Sequence, residues 1–252
     1  MIALSSWDMS FFGLTIARVE GDTLTADQAR EMDAWCIGQK VALCVLLADS
    51  DHTPTAHVAA QSGYQMIDFR VTLDRDMSAP IPTPKHQTRT YQPSDLSGLE
   101  AIARASFTDS RFLIDPFFPA KERSKEMYGH WLRRRCGDMS AIGSFPPADH
   151  IVVADFEGEP AGFVTCLLRP PDADGRLVGA VDLVAVDQRA RGLYIGESMV
   201  CAALAWFQAQ GCHTVEVVTQ GRNVRAQRTY QRCGFVSRRA QTWYHKWFNK
   251  ES

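Results

Sequence analysis

The chain has 252 residues, of which 45% are hydrophobic and 22% are charged, and its formal net charge is −2. This composition is typical of a globular protein with enough apolar side chains for one large core or two modest ones. A net charge this close to zero argues against a general nucleic-acid-binding protein, which needs a strongly basic face. We therefore expect no nucleic-acid partner.

Several other classes are disfavoured by the residue pattern. The longest apolar run, residues 41–48, is too short to span a bilayer, and the N-terminus lacks the charged and apolar regions of a signal peptide. The seven cysteines contain no C-x-x-C pair, and several lie in apolar segments, which favours reduced, buried thiols over disulfides or a metal site. The sequence predicts a cytoplasmic protein with no membrane partner and no metal.

The first 85 residues show a regular succession of elements. After the aromatic segment WDMSFFG (residues 7–13), the pattern predicts a strand over 14–19, a helix after Thr25 and a buried strand over 41–47. A further segment ends at Gly63, and an alternating strand follows over residues 66–73. Residues 76–88 contain three prolines and few apolar side chains, so we predict a linker and a domain boundary there.

A succession of glycine, aromatic residue and long strand occurs twice. Gly63 and Tyr64 precede one strand, and Gly234 and Phe235 precede another near the C-terminus. We interpret this as a low-fidelity internal duplication in which the first copy is truncated. The alternative is that the succession is simply a common junction between a helix and a strand.

The segment after the linker contains an unusually aromatic loop. A strand over 89–91 and a helix capped by Ser94 or Asp95 lead to the loop SRFLIDPFFP, residues 110–119. A helix with Tyr128 and Trp131 follows, and then a hairpin of strands over 151–156 and 161–168. The aromatic loop either covers the core or forms a wall for a flat ligand group.

Residues 183–211 are predicted to form a strand, a basic turn and an amphipathic helix. The turn RGLYIG runs from Arg191 to Gly196 and opens directly into the helix. Such a turn points unpaired backbone N–H groups and the positive helix end at one place, where a pyrophosphate can bind. Gly192 and Gly196 allow close approach of the backbone, and Arg189 adds charge. The alternative is an ordinary strand-to-helix loop with two turn glycines.

A second block follows the turn and carries a family resemblance. A strand over 213–219 precedes NVRAQRTYQRCGF, in which Asn223 is a good helix N-cap and Gly234 a helix end. Together, RGLYIG and this block resemble the acyl-CoA-binding core of the GNAT superfamily of N-acyltransferases. The matching positions are Arg191, Gly196, Asn223, Ala226, Tyr230, Gly234 and Phe235. Tyr194 stands where the family usually has the middle glycine.

The whole chain is similar to a narrower group in that superfamily. WDMSFFG, SRFLIDPFFP, the helix with Tyr128 and Trp131, and VVTQGRN with TYQRCGF resemble the dTDP-fucosamine acetyltransferase type. The resemblance implies an α/β protein with a mixed sheet, a truncated GNAT-like domain over 1–80 and a catalytic GNAT domain over 88–252. It implies acetyl-CoA as co-substrate and a nucleotide-linked deoxyamino sugar as acceptor. A homodimer is left open.

The resemblance also implies roles for individual residues. Tyr230 would protonate the departing CoA thiolate after the acceptor amine attacks the thioester. The residues expected to hold acyl-CoA are Val184, Ala185, Val186, Arg191, Gly192, Leu193, Tyr194, Ile195, Gly196, Asn223 and Ala226. The residues expected to contact the acceptor are Phe12, Arg111, Phe112, Asp115 and Phe117.

The general base and the substrate class stay open at this stage. Asp182, Glu216 and Asp115 are candidate bases, although a solvated or structural role is favoured for each of them, with water taking the proton. Two other functions compete with the amino-sugar acyltransferase. One is a GNAT enzyme that acylates a protein N-terminus or lysine, and the other is a non-catalytic CoA-binding module.

Overall fold

The computed structural model describes residues 1–108, 110–141 and 145–248. In these ranges ten strands form one mixed sheet, and eight α-helices cover its two faces. The α/β class predicted from the sequence is confirmed. The strands are β1 (Ile2–Leu4), β2 (Ile16–Val19), β3 (Leu43–Asp49), β4 (Gln65–Asp76), β5 (Arg89–Thr90), β6 (His150–Phe156), β7 (Glu159–Arg169), β8 (Val178–Val186), β9 (Thr214–Gln220) and β10 (Val236–Trp247). The helices are α1 (Ser6–Phe12), α2 (Ala26–Gly38), α3 (Thr53–Gln61), α4 (Leu96–Ser106), α5 (Arg111–Ile114), α6 (Lys121–Arg135), α7 (Ile195–Ala209) and α8 (Val224–Arg232).

The two halves of the chain interlock in the middle of this sheet. The strand order is β1-β2-β3-β10-β4-β9-β8-β7-β6-β5, so β10 enters the N-terminal strands and β4 enters the C-terminal ones. Both intruding strands are antiparallel to their neighbours. The division at residues 80–88 remains a prediction, but the two predicted domains share one hydrogen-bonded sheet.

The two halves of the chain contain the same succession of three strands and two helices. In the first half, α2 connects the parallel strands β2 and β3, and α3 leads to the antiparallel β4. In the second half, α7 connects the parallel strands β8 and β9, and α8 leads to the antiparallel β10. Each half places its last strand beside the other half's parallel pair. This repetition supports the inferred duplication, because a common junction alone would not reproduce three strands and two helices in the same order.

Helices pack on both sides of the sheet but leave its centre open on one side. Helices α7 and α8 cover one cluster and α2 and α3 another, both on the same side. On the opposite side, one cluster contains α4 with part of α6, and the other contains α1 and α5 with Met127 of α6. Between these two clusters, the central strands carry polar side chains such as Arg70, which pairs across the sheet with Gln220 and Gln241.

Local signals for helix ends predicted from the sequence are present. Thr25 and Gln28 form a reciprocal capping box at the start of α2, and the Asn223 side chain accepts a hydrogen bond from the Ala226 N–H at 3.1 Å. Gly234 has a φ of 88°, and a Cβ there would lie 2.5 Å from Nη1 of Arg75. Glycine is therefore required at this position by both backbone conformation and space.

The proline-rich linker is held against the body of the protein. The buried Arg75 guanidinium donates hydrogen bonds to the carbonyls of Ala79 (3.0 Å) and Pro80 (2.8 Å). Further along, the backbone N–H groups of Lys85 and His86 donate to the Ser198 hydroxyl on α7, at 3.0 and 3.1 Å. The predicted linker is thus a fixed strap across the first turns of α7.

Three further features of the described residues concern the cysteines, metal-ligating side chains and membrane spans. All seven cysteines are free thiols, and only Cys136 is not fully buried. Within the same residues, no cluster of three or more metal-ligating side chains is present. Among their helices, none has the length and apolarity needed to cross a bilayer.

Candidate functional site

An opening between two parallel strands lies at the centre of the candidate site. β8 and β9 pair from Val178–Val181 to Thr214–Val217. Past these residues the strands separate, and β8 continues to Val186 with no strand paired to that edge among the described residues. Val184, Ala185 and Val186, predicted to hold the thioester, lie on this free edge, where main-chain polar groups are available to a ligand.

A bulge explains why the strands separate. The β7–β8 register shifts so that Asp182 and Leu183 both face Thr165. The Leu183 N–H donates to the Thr165 hydroxyl at 2.9 Å. An extra residue in one strand bends it and increases its twist. β8 therefore turns away from β9 at the point where a thioester would be held.

The predicted phosphate turn adjoins the end of β8. A short 3₁₀ segment over Gln188–Ala190 is followed by the turn, and α7 begins at Ile195. The six backbone N–H groups of residues 192–197 donate no hydrogen bond to another described residue. Unpaired N–H groups at the positive end of a 15-residue helix form a binding place for an anion.

Tyr194 takes the backbone conformation that a glycine would take. Its φ is 63° and that of Gly192 is 84°, so both lie in the left-handed region. For a non-glycine residue this conformation costs roughly 1–2 kcal/mol. The Tyr194 ring is exposed, with the Lys85 ammonium 3.3 Å from its centroid, and its carbonyl accepts hydrogen bonds from the N–H and hydroxyl of Ser198. The side chain therefore lies outside the turn, and the backbone path is kept.

The two arginines near the turn have neighbours within the protein. Arg191 donates to the Val186 carbonyl at 3.1 Å and to the Ser106 hydroxyl at 3.3 Å, which ties the turn to β8 and α4. Arg189 pairs with Asp187. Gly196 lies in the first turn of α7, and a Cβ on it would be 3.3 Å from Cγ2 of Val186. Larger side chains at Gly196 would fill the space between the turn and β8.

Tyr230 lies in the core cluster that borders the opening. The ring is 5% exposed and belongs to the same cluster as Val217 and Ile195, against which Val184 and Val186 also pack. The hydroxyl makes no hydrogen bond to another described residue. Burial raises the pKa of this hydroxyl above its ordinary value, so the phenol stays protonated near neutral pH. A protonated, unbonded phenol is what a proton donor to sulfur requires.

The three candidate bases are all engaged by other side chains. Asp182 forms a buried ion pair with Arg135 at 2.7 Å, and Glu216 pairs with Arg238 at 2.6 Å. The Asp115 carboxylate accepts hydrogen bonds from Nδ1 of His245 at 2.6 Å and Nε1 of Trp247 at 3.1 Å. This arrangement favours water as the proton acceptor.

The predicted acceptor residues divide into core and surface positions. Phe12, Phe112 and Asp115 are 5%, 0% and 0% exposed, so their burial does not fit the direct ligand contact expected from the sequence. The reason is that the aromatic segment forms the short helix α5 and packs inward against α1 and β3. Arg111 is half-buried and Phe117 is 48% exposed, so both remain available to a ligand.

Asp115 and His245 form a buried, hydrogen-bonded pair. Burial raises the pKa of Asp115, but hydrogen bonds from His245, the Phe117 N–H and Trp247 outweigh it and hold the pKa below its usual value. Burial also lowers the pKa of His245, and Asp115 only partly offsets this. Asp115 is therefore a carboxylate, and His245 is a neutral ring that donates its Nδ1 proton.

Several residues at the site were not singled out from the sequence. Ser198, Lys85 and His86 connect the strap to α7, and the His86 ring lies 2.6 Å from the Leu193 carbonyl. Arg70 and Trp243 lie on the open central face of the sheet. The sequence contained one signal for this face. In the strand predicted over 66–73, Asp68, Arg70 and Thr72 alternate with apolar residues, and this strand lies at the centre of the sheet.

Comparisons with known proteins identify the family of the chain. The model of the acetyltransferase (GNAT) family matches residues 110–235, which is 126 of the 252 residues. The spore coat polysaccharide biosynthesis protein SpsD of Bacillus subtilis is 29% identical over 161 residues, which cover 64% of this chain and 50% of SpsD. The mycothiol acetyltransferase of Rhodococcus erythropolis is 27% identical over 175 residues, covering 68% of this chain and 54% of the relative. The chain thus spans about half the length of these two relatives.

A third relative aligns over nearly its full length. The dTDP-fucosamine acetyltransferase of Escherichia coli O6:H1 is 24% identical over 237 residues, which cover 91% of this chain and 90% of that protein. Among solved structures, a GCN5-related N-acetyltransferase from Kribbella flavida superposes with a TM-score of 0.58 at 11% identity, covering 92% of this chain and 81% of that one. A GCN5-related N-acetyltransferase from Sphaerobacter thermophilus gives 0.57 at 17% identity, covering 88% and 67%. These two structures support the fold.

Proposed function

The chain belongs to the acetyltransferase (GNAT) family and is an acyltransferase, and from this premise we propose that it acetylates the amine of a nucleotide-linked deoxyamino sugar. Acetyl-CoA is the proposed donor. The observation that carries the proposal is the row of unpaired N–H groups over residues 192–197, which adjoins the opening between β8 and β9. The cytoplasmic location and a homodimer remain predictions.

The donor has a complete path across this site. The CoA pyrophosphate would accept hydrogen bonds from the N–H groups of the turn, which also lie at the positive end of α7. The pantetheine arm would follow the free edge of β8, and the thioester would reach the opening past Val181. Main-chain N–H groups fixed in the strand can stabilise the oxyanion that forms when the amine attacks, without reorganising during the reaction.

The protein's own part in the chemistry is mainly positioning. A neutral amine attacks the thioester carbonyl, the C–S bond breaks, and the CoA thiolate takes a proton. In the proposed mechanism Tyr230 supplies that proton, because its hydroxyl is protonated and has no other partner in the described residues. The amine proton leaves to water, since Asp182, Glu216 and Asp115 are held by Arg135, Arg238 and His245 respectively.

The sugar acceptor is supported by the relative with the longest alignment reported above and by the charge of the open face. That relative's name gives a dTDP-linked amino sugar, and it aligns with 91% of this chain. A basic protein tail would need carboxylates on the acceptor side. Instead, the carboxylate that lines the open face, Asp22, is paired with an arginine, and Arg70 and Arg111 have no carboxylate partner among the described residues. This favours an anionic small molecule over a lysine-rich peptide.

The proposal is tested by product analysis. The purified chain is incubated with acetyl-CoA and a panel of dTDP- and UDP-linked amino sugars, and products are identified by mass spectrometry while released CoA is quantified. We expect a mass increase of one acetyl group on at least one nucleotide-linked amino sugar. Acetylation of histone-type or N-terminal peptides in preference to every sugar nucleotide would refute the proposed acceptor class.

A further inference from the structure

A polar cavity lies on the open face of the sheet, between strands of the N-terminal half and β10. Its volume is about 310 Å³. Its walls include Arg18 of β2, Asp22 shortly after that strand, Arg70 of β4, and Gln241 and Trp243 of β10. Arg111 adjoins the cavity, because its guanidinium lies 4.3 Å from the Trp243 ring centroid. We call this cavity with Arg111 the arginine pocket.

Two guanidinium groups in the arginine pocket have no anionic partner. Arg70 makes no hydrogen bond or ion pair with another described residue, and its Nε is buried and unsatisfied. Arg111 likewise has a buried, unsatisfied Nε, and its cation lies over the rings of Phe112 and Trp243 at 4.1 and 4.3 Å. Leaving a partly buried charged donor unpaired is costly, so a ligand that supplies acceptors would be bound favourably.

The surrounding charges increase the free-energy cost of leaving these two guanidinium groups without an anionic partner. Burial lowers the pKa of Arg70, and so do the nearby cations Arg239 and Arg18. Burial lowers the pKa of Arg111 to about 10, again with Arg18 contributing, so both groups stay cationic at neutral pH. Like charges are therefore gathered around one cavity, which is the arrangement that an anion stabilises.

The carboxylates near the pocket already have cationic partners. Asp22, which lines it, is bound by Arg239, and Arg239 also contacts Asp49 at 2.8 Å. Asp8 pairs with Arg18 at 3.3 Å and accepts a hydrogen bond from the Ser5 hydroxyl. None of these carboxylates reaches Arg70 or Arg111 within ion-pair distance. The pocket thus keeps two cations that are available to a ligand.

Trp243 gives the pocket a second kind of contact. It lies on the same face of the sheet as Arg70, because Arg70 pairs with Gln241 and Trp243 with Asp68 in the β4–β10 ladder. One ring is therefore placed beside two fork-shaped cations. Arginine forks bind phosphate in a bidentate manner, and an aromatic ring packs against a sugar or base.

The pocket is close enough to the acyl-transfer site to hold the far end of an acceptor. Arg70 is paired with Gln220, three residues past Val217 where the β8–β9 pairing ends. Strands rise about 3.3 Å per residue and lie about 4.8 Å apart, which puts Arg70 roughly 10 Å from that end. This separation suits a sugar whose amine reaches the opening while its phosphate groups stay at the arginines.

From these observations we infer that the arginine pocket binds the phosphate groups of the acceptor, with Arg70 and Arg111 as the phosphate ligands and Trp243 as the ring contact. The inference rests on the proposed sugar-nucleotide function and specifies where that substrate is anchored. It makes the open face of the sheet, to which Arg70 of β4 and Trp243 of β10 both contribute, a specificity element for the acceptor, separate from the turn proposed to hold CoA.

Calorimetric titration tests this anchoring. The protein is first saturated with CoA to occupy the turn at residues 192–197, and inorganic pyrophosphate and dTDP are then titrated in. We expect both to bind, and we expect Arg70→Gln and Arg111→Gln to weaken dTDP binding at least about tenfold each, because each removes a charge-assisted contact. The matched control is Arg30→Gln, which removes an exposed arginine of α2 on the other side of the sheet.

The steady-state constants separate this inference from the proposed function. The KM for the sugar nucleotide should rise in both pocket variants while the KM for acetyl-CoA stays unchanged. Lack of dTDP and pyrophosphate binding to the CoA-saturated wild type, or binding that neither variant weakens, would overturn the inference. Acetyl transfer to a phosphate-free amino sugar with equal efficiency would also overturn it, while leaving acyl transfer intact. Because Arg70 lies on β4 and Arg111 on α5, misfolding of one variant leaves the other as a test.

Discussion

Tyr230 illustrates how a single side chain can fit both a structural and a catalytic role. Its ring packs 5.9 Å from the ring of Phe235 in the core cluster, which accounts for burial but not for the hydroxyl. The hydroxyl makes no hydrogen bond to another described residue, and its pKa is raised by burial, so it keeps its proton near neutral pH. The thiolate of the departing CoA is a partner to which this proton could be donated.

Replacement of Tyr230 by phenylalanine separates the two roles. Tyr230→Phe keeps the ring and removes the proton, so kcat should fall by roughly 10²–10⁴, the usual contribution of a positioned general acid, while acetyl-CoA affinity changes little. Turnover, thermal midpoint and CoA affinity are measured on the same sample. The matched control is Tyr64→Phe, a buried tyrosine of the other half. A folded Tyr230→Phe protein with normal turnover would exclude the proton-donor role.

The pair Asp115–His245 should make stability depend on pH. Both groups have a lower pKa in the folded than in the unfolded state, so the unfolded chain binds more protons as the pH falls. Stability is therefore greatest above the unfolded histidine pKa of about 6.5 and declines as the pH falls from there through the acidic range. Urea unfolding of wild type from pH 8 to pH 4 should show this decline. In His245→Asn, which keeps a donor to Asp115 without a titrating ring, the decline between pH 7 and pH 5 should be smaller. Equal slopes in the two proteins would contradict this assignment.

At the scale of elements, the turn before α7 has a left-handed backbone at Gly192 and Tyr194, and contacts from neighbouring side chains hold it in place. Tyr194 shows that a left-handed backbone position can be held by a non-glycine residue when its ring is exposed and its carbonyl is bonded. The strap formed by the linker also holds this segment in place, because Lys85 and His86 contact residues 193–194 and the first helical turn of α7. The turn is therefore fixed before CoA arrives, which reduces the entropy lost on binding.

Gly196 provides the test of CoA placement at this turn. Gly196→Val would add a branched side chain whose Cβ lies 3.3 Å from Cγ2 of Val186, between the turn and β8. Acetyl-CoA affinity should fall at least about tenfold, the scale of one lost charge-assisted hydrogen bond.

The control for this change is Gly38→Val at the end of α2, where an added Cβ meets no atom within 4 Å. Calorimetry with acetyl-CoA should show wild-type affinity in the Gly38→Val protein. Unchanged affinity in Gly196→Val would remove the CoA pyrophosphate from this turn.

At the scale of the whole molecule, the sheet makes the two halves mutually dependent. β4 is hydrogen-bonded to β10 over residues 65–74 on one side and to β9 over residues 70–76 on the other. A chain without β4 would expose two long unpaired strand edges in its centre, and such edges promote aggregation. The N-terminal half therefore contributes to the folding of the C-terminal half as well as to the acceptor face.

Truncation tests this dependence. A fragment of residues 81–252 should be insoluble, or should lose sugar acetylation, because β9 and β10 lose their common neighbour. Co-expression of residues 1–80 with 81–252 is the control, since it restores β4 without the covalent connection. Soluble expression, gel filtration and acetyl transfer are measured for both. A soluble 81–252 fragment with full activity on the sugar nucleotide would show that the predicted domains fold independently.

Much of the local structure follows from the sequence because its signals are local. Glycine at a helix end, asparagine at a helix start and alternation in a strand each involve a few neighbouring residues, and Gly234, Asn223 and the strand over 66–73 were predicted on this basis. The sequence did not determine whether the aromatic segment at 110–119 lies in the core or at the surface. Its composition is equally suitable for a core and for a ligand wall, and only the packing against α1 and β3 placed Phe112 and Asp115 inside.

The sequence by itself determined the class of the fold, the acyltransferase family and the position of the turn that precedes α7, since contiguous residues carry these features. Only the tertiary structure decided that β4 and β10 exchange neighbours, that the linker straps α7, and that Arg70 and Trp243 meet at one cavity. Arg70 and Trp243 are far apart in the chain, and nothing local to either residue indicates the other. Their meeting depends on strand order and register, which are fixed by the packing of the whole sheet and not by any single segment.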